Sequence, residues 1–231
     1  VESVKQGLLA ETILDLALIQ LFTARFRLGM FDPPEQIAYA QIPISVNDCE
    51  AHRALALRAA RESIVLLKNA DNTLPLPRTL KTIAVIGPNA DDEKVLWGNY
   101  NGVPSFTVTP LAGIRAAVGD QTDVLYARGC SVLRNDTSGY PEALAAAARA
   151  DTVIFVGGLS QAIEGEEGQE EGVTDGKSQG DRTDITLPAV QENLLKELHA
   201  LGKPIVLVLV GGSAVAVNWA DAHLPAILET W

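Results

Sequence analysis

At 231 residues and 47% hydrophobic content, the chain is long enough for one large domain, or for one domain with a piece of another. A net charge of −11 argues against nucleic acid, whose phosphates need clustered Lys and Arg, and against an anionic membrane surface. Two cysteines, Cys49 and Cys130, are too few for a disulfide framework or a four-ligand zinc site. His52, His199 and His223 stand far apart without HExxH spacing, so neither a metal nor a cofactor is expected. No apolar run reaches the roughly 18 residues of a membrane span, and no leader-like segment opens the chain. Val1 starts in mid-pattern and the last strand-like run stops at Trp231, so the chain reads as a piece of something longer.

From Leu8 to Phe26 apolar residues recur at helical spacing (Leu9, Ile13, Leu16, Leu18, Leu21, Phe22, Phe26), which predicts a helix with one buried face. Gly29 is a candidate C-cap, and Pro33-Pro34 forbids continuation. Residues 32–48, punctuated by proline, read as an extended linker between domains. Asp48 offers an N-cap to a helix predicted over Glu50–Asn69, with Ala54, Leu57, Ala60, Ile64 and Leu67 on one side.

Strands and helices then alternate. Thr82–Gly87 is a short continuous apolar run, as a parallel strand covered on both faces requires. A helix over Pro110–Val118, a strand over Thr122–Ala127 and an Ala-rich helix from Pro141 to Arg149 follow. A core strand spans Thr152–Val156. A helix begins at Pro188, with Val190, Leu194, Leu195, Leu198 and Leu201 apolar and Gly202 as its cap. Ile205–Val210 is the most hydrophobic strand, Gly211-Gly-Ser213 leads into a short helix reaching Trp219, and Ala226–Trp231 forms a last strand. Such alternation predicts an α/β fold, a mostly parallel sheet sandwiched by helices. The strand-end glycines (Gly87, Gly157-Gly158, Gly211-Gly212) spell neither GxGxxG nor GxxxxGK[ST], so they read as turn geometry rather than a phosphate cradle.

Between the strand ending at Val156 and the helix at Pro188 lies a stretch far longer than the usual 2–6 residues of such loops. It carries Glu164, Glu166, Glu167, Glu170, Glu171, Asp175, Asp181 and Arg182. Ligands of open α/β sheets bind outside the carboxyl ends of the strands, where this stretch emerges. One reading is a functional loop; the other is a solvated acidic flap.

Several segments, in order, resemble the glycoside hydrolase family 3 C-terminal domain. They are ARESIVLLKN (Ala60–Asn69) with LPL (Leu74–Leu76), IAVIGPNAD (Ile83–Asp91), GNYNGVPSFTVTPLAGI (Gly98–Ile114), VIFVGGL (Val153–Leu159) and GDRTDITLPAVQENLL (Gly180–Leu195). RFRLGMFDPP (Arg25–Pro34) is similar to the segment leaving that family's N-terminal (β/α)8-type barrel. The resemblance implies a flavodoxin-like α/β sandwich preceded by a helical remnant of the barrel. The implied division is 1–31 barrel tail, 32–48 linker, and 49–231 sandwich domain truncated at its C-terminus.

It further implies a retaining β-glycosidase whose nucleophile lies on the barrel, outside this chain, and whose acid/base glutamate comes from the acidic loop. Glu166 of Glu164-Gly165-Glu166 is the first choice, with Glu164 and Glu167 in reserve; the stretch 168–179 between them and Asp181-Arg182 is an insertion relative to compact relatives. Crowding among these glutamates would raise some of their pKa values, as an acid that holds its proton near neutrality needs. Asp181 and Arg182 read as an ion pair pinning the loop's return, or as a sugar contact. Tyr100 and Asn101 combine an aromatic face with an amide, as sugar sites do, or else Tyr100 packs beside Trp97.

The implied substrate is a β-linked xylo-oligosaccharide cut from its non-reducing end. β-Glucosidase and α-L-arabinofuranosidase are the alternatives, and the barrel domain of the full-length chain is the partner. A secreted or periplasmic location is expected for the whole protein. A rival of another class is a non-catalytic α/β domain that binds a ligand or partner.

Overall fold

A computed structural model describes residues 1–98, 101–161 and 184–231. The chain divides into two compact units, Val1–Arg53 and Ala54–Trp231.

In the first unit, a short helix α1 (Glu2–Lys5) precedes α2 (Glu11–Arg27). Gly29 closes α2 as expected. At φ +70° its N–H donates to Phe26 O (3.0 Å), while Met30 N–H donates to Arg25 O (3.0 Å), the paired bonds of a Schellman ending. The expected buried face is not observed: α2 has no buried residue, and Ile13, Leu16 and Phe26 are 55%, 64% and 63% exposed. A unit of this size has too little surface of its own to cover a 17-residue helix. The 32–48 stretch is not extended either. Pro33 and Pro43 each start a tight turn, with Gln36 N–H donating to Pro33 O (2.9 Å) and Val46 N–H to Pro43 O (3.0 Å). Three 3-10 segments result, because proline's fixed φ suits the start of a turn as well as it suits extended chain.

The division between the units falls within α3 (Glu50–Ser63). The helix predicted to run to Asn69 stops at Ser63, and Val65–Asn69 is instead a strand, β1. Its partner lies at the far end of the chain: β1 pairs antiparallel with β6 (Ala226–Thr230), Val65 opposite Glu229 and Leu66 opposite Leu228. Helical spacing within 50–69 could not register a partner about 160 positions away, and non-local pairing overrode local propensity.

The other strands fall where continuous apolar runs placed them: β2 (Thr82–Ile86), β3 (Asp123–Ala127), β4 (Thr152–Gly158) and β5 (Ile205–Val210). Helices α4 (Pro110–Val118), α5 (Tyr140–Arg149) and α6 (Ala189–His199) lie between them. The last helix, α7 (Asn218–His223), begins later than expected, because the chain before it is engaged elsewhere: Ala216 bridges to Thr186. The sheet order is β1-β6-β5-β4-β2-β3, parallel throughout except at β1. Counting only the parallel strands in chain order gives 2-1-3-4-5, the flavodoxin-like winding, which reverses direction between β2 and β4.

The core is layered unequally. On one face Ala84, Ile86, Val153, Phe155, Leu207 and Leu209 pack with the apolar sides of α5, α6 and α7. On the other, Ile83, Val85, Ile154, Val156 and Val210 pack with Leu111 and Ile114 of α4. Leu194 of α6 is fully buried in the larger layer. Leu194→Ala is therefore expected to lower stability by about 2–5 kcal/mol, the range for truncating a buried leucine. Urea denaturation of both proteins checks this, and a midpoint unchanged by the substitution would contradict the packing described.

Candidate functional site

The site is built at the carboxyl edge of the sheet, where β2 and β4 diverge. Their last paired residues are Ile86 and Phe155. Beyond these, β2 turns off at Gly87 while β4 runs on to Gly158, still paired with Val210 of β5. Three glycines permit this crowding. A Cβ on Gly87 (φ +126°) would lie 2.1 Å from Val156 O, one on Gly158 (φ +125°) 2.2 Å from Val210 O, and one on Gly157 2.4 Å from Gln191 Oε1. Gly87 and Gly158 are thus explained by close approach of backbone to backbone, in line with their reading as turn geometry, and Gly157 by the packing of the Gln191 and Phe155 side chains against it.

The polar groups left by the divergence are taken up by two amide side chains, neither singled out from the sequence. Asn89, fully buried, donates from Nδ2 to Leu159 O (2.8 Å), and its N–H donates to Val156 O (3.2 Å). Gln191 of α6, also fully buried, accepts from Gly158 N–H at Oε1 (2.8 Å) and donates from Nε2 to Gly158 O (2.8 Å) and Val132 O (2.7 Å). Their only trace in the sequence is a polar residue inside an apolar pattern: Asn89 after β2, and Gln191 between Val190 and Leu194.

The acidic stretch leaves this edge at Gln161 and returns at Asp184. Leu159 N–H donates to Val210 O (2.7 Å) at the departure. At the return, Leu187 N–H donates to Ala216 O (3.2 Å) and Ala216 N–H to Ile185 O (2.7 Å). The departure is thus fastened to β5, and the return to the segment between β5 and α7 through the Thr186–Ala216 bridge. Glu164, Glu166, Glu167, Asp181, Arg182 and Tyr100 lie outside the described residues. Asn101 is described: it is exposed, and its Nδ2 donates to Gly102 O (3.0 Å).

Beside the departure point is a cleft of about 340 Å³ bordered by Trp97, Leu159, Gln161, Gly211 and Trp231. Trp97 Nε1 and Gln161 Oε1 are buried and have no partner among the described residues. An indole face with an unused donor and an unused amide acceptor can take a ring that is apolar on its faces and hydroxylated at its edge. Among the described residues no three His, Cys, Asp or Glu side chains form a metal-sized cluster, and no helix is long and apolar enough to cross a membrane.

Two proton-bearing groups sit under this edge. Burial pushes the Cys130 thiol up to about 12, against a smaller opposing pull from Arg128. The Tyr140 hydroxyl, which donates to Val190 O, is likewise raised to about 12, mainly by burial and further by Cys130 and Glu197. Asp136 is held below the usual carboxylate range by its hydrogen bonds from Ser138.

The winding defines a flavodoxin-like α/β sandwich with a crevice at the carboxyl ends of its strands. Residues 64–231 match the model of the glycosyl hydrolase family 3 C-terminal domain, and the chain belongs to that family. It is similar to a β-xylosidase of Formosa agariphila, 36% identical over 94% of this chain and 29% of the relative. It is similar also to a periplasmic β-glucosidase of Salmonella typhimurium, 35% identical over 99% of this chain and 31% of the relative. Among solved structures, an exo-β-xylosidase of glycoside hydrolase family 3 in complex with a xylobiose aziridine probe superposes with a TM-score of 0.85. It is 34% identical, over 99% of this chain and 28% of that one. The chain therefore spans under a third of the length of these proteins.

The raised thiol yields a pH test. The unfolded chain gives up its cysteine proton near pH ~8.5, whereas the fold retains it to about 12. The stability that Cys130 contributes is whole below about pH 8.5 and is lost as pH climbs from there toward 12. Cys130→Ala should flatten the decline of the urea midpoint between about pH 8.5 and 10, and identical slopes for the two proteins would count against this. In native protein, thiol titration at about pH 8 should find one reactive cysteine, the half-buried Cys49, and two after denaturation.

Proposed function

We propose that the chain is the portion of a retaining exo-β-glycosidase that supplies the catalytic acid/base, carried by the stretch between Gln161 and Asp184. The carrying observation is placement. That stretch departs from β4 at the switch point of a 2-1-3-4-5 sheet, its start hydrogen-bonded to β5 and its return bridged to Ala216, in the segment that follows β5. Glu166 is assigned as the acid/base, with Glu164 and Glu167 as the alternatives in the same cluster. A retaining mechanism needs two carboxyls about 5–5.5 Å apart, one attacking the anomeric carbon while the other protonates the departing oxygen. Like charges at Glu164, Glu166 and Glu167, and water exclusion on closing against the rest of the enzyme, raise the carboxyl's pKa into the range of a neutral-pH acid.

On this basis the chain divides into a barrel tail over 1–31, a linker over 32–48 and the sandwich over 49–231. The nucleophile lies on a barrel outside these residues, so residues 1–231 alone are inactive. Asp181 and Arg182 pin the loop's return, and Tyr100 and Asn101 contact sugar. The substrate is a β-1,4-xylo-oligosaccharide cut from its non-reducing end, a choice supported by the β-xylosidase from Formosa agariphila and by the xylobiose-probe complex. Similarity to the Salmonella typhimurium β-glucosidase favours glucosides as the second reading, and its periplasmic designation supports an exported whole protein.

In the full-length enzyme, Glu166→Ala should reduce kcat/KM about 100-fold or more on aryl β-xylosides with poor leaving groups. It should spare dinitrophenyl xyloside at the glycosylation step, and azide should restore turnover. Wild-type behaviour of the Glu164, Glu166 and Glu167 alanine variants alike would sink the assignment. Faster turnover of aryl glucoside than aryl xyloside by the wild type would move the substrate to the second reading.

A further inference from the structure

We propose that Gln191, seconded by Asn89, is a positioning residue that sets where the acid/base-bearing stretch leaves the sheet. The inference rests on the reading that this stretch delivers the catalytic acid.

Without these side chains, the end of β4 would present an unpaired edge. In a parallel strand the N–H and C=O of one residue point to the same side. Gly158 turns that side away from β5, toward the space that β2 vacates at Gly87. The Gln191 carboxamide fills it: its oxygen takes the Gly158 N–H and its NH₂ gives to the Gly158 C=O, both at 2.8 Å, as the backbone of an adjoining strand would do. The second NH₂ hydrogen goes to Val132 O at 2.7 Å, tying the chain after β3 to the same point. Every hydrogen of the amide is used, so its orientation is determined rather than free to flip. One residue further on, Asn89 holds Leu159 O at 2.8 Å. The two side chains thus fix consecutive residues, Gly158 and Leu159, from opposite sequence directions, and Gln161 lies two residues beyond.

Both amides are fully buried, so no water replaces a lost partner without rearrangement. Gly157 and Gly158 have no side chains to lock their torsions, which makes the external hold on this segment matter more than it would for a β-branched strand end. Acid catalysis is sensitive to such a hold. A misplacement of a reacting group by about 1 Å costs up to about 100-fold in rate. A purely structural amide would instead affect stability and leave the chemistry of the two substrate classes equally impaired.

The test uses the full-length enzyme and compares Gln191→Leu and Asn89→Ser with Glu166→Ala, on phenyl β-xyloside and dinitrophenyl β-xyloside. The dinitrophenolate departs without a proton, so loss of acid placement spares it. The expected result for Gln191→Leu is a fall in kcat/KM of about 10- to 100-fold on the phenyl substrate, carried by kcat, and under about threefold on the dinitrophenyl one. Asn89→Ser should show the same selectivity, more weakly. Equal losses on both substrates, or no loss in a folded variant, would overturn the proposal while leaving Glu166 in place. Failure of both variants to give folded enzyme would assign the amides to stability alone and overturn it too. Absence of leaving-group selectivity in every alanine variant at Glu164, Glu166 and Glu167 would instead remove the functional reading, and this inference with it.

Discussion

A parallel sheet that reverses its winding sends the connections after two neighbouring strands to opposite faces, and the backbone polar groups left unpaired where they part must be satisfied inside the protein. Here the separation is between β2 and β4. It governs the placement of Gly87 and Gly158, whose positive φ and close backbone contacts exclude side chains, and of Asn89 and Gln191, which supply the missing hydrogen-bond partners. Unpaired buried amides would cost roughly 1–3 kcal/mol each, enough to matter against the stability of a whole domain. The same separation creates the crevice from which the long acidic stretch departs.

The second unit therefore combines a rigid sheet with a long excursion fastened at both ends. Its larger layer, beneath α5, α6 and α7, is closed by buried Leu194, Leu195 and Leu198, and Tyr140 joins α5 to α6 through Val190 O. The α6 cover thus carries the Gln191 amide that meets Gly158, while Asn89 meets Leu159 from the turn after β2, so the departure point is held from both the core and the neighbouring turn. A scaffold of this kind can serve more than one sugar. The relatives are named as a β-xylosidase and a β-glucosidase, and an exo-β-xylosidase structure superposes over 99% of this chain.

Family membership and the α/β class were legible because their signals are local. β2, β4 and β5 are covered on both faces and read as uninterrupted apolar runs, and α4, α5 and α6 each begin within one residue of a proline, Pro110, Pro141 and Pro188. Thr109 confirms the first of these starts, its hydroxyl oxygen accepting from Ala112 N–H. The first unit was less legible. Apolar spacing in α2 announces a helix, but the spacing alone carries no information on what covers it, and within this unit Leu16 and Ile19 remain exposed. The acidic stretch could be located from its length and charge, though its candidate glutamates lie outside the described residues.

The sequence by itself determined the alternation of elements, the family, and the position of the long acidic stretch, since each is written in short-range pattern and composition. Only the tertiary structure decided that Val65–Asn69 is an edge strand, that the sheet is wound 2-1-3-4-5, and that Asn89 and Gln191 hold the end of β4. The reason is range. Gln191 bonds Gly158 from 33 residues away and Asn89 bonds Leu159 from 70, and a buried amide looks the same in a sequence whether or not a strand end lies within its reach.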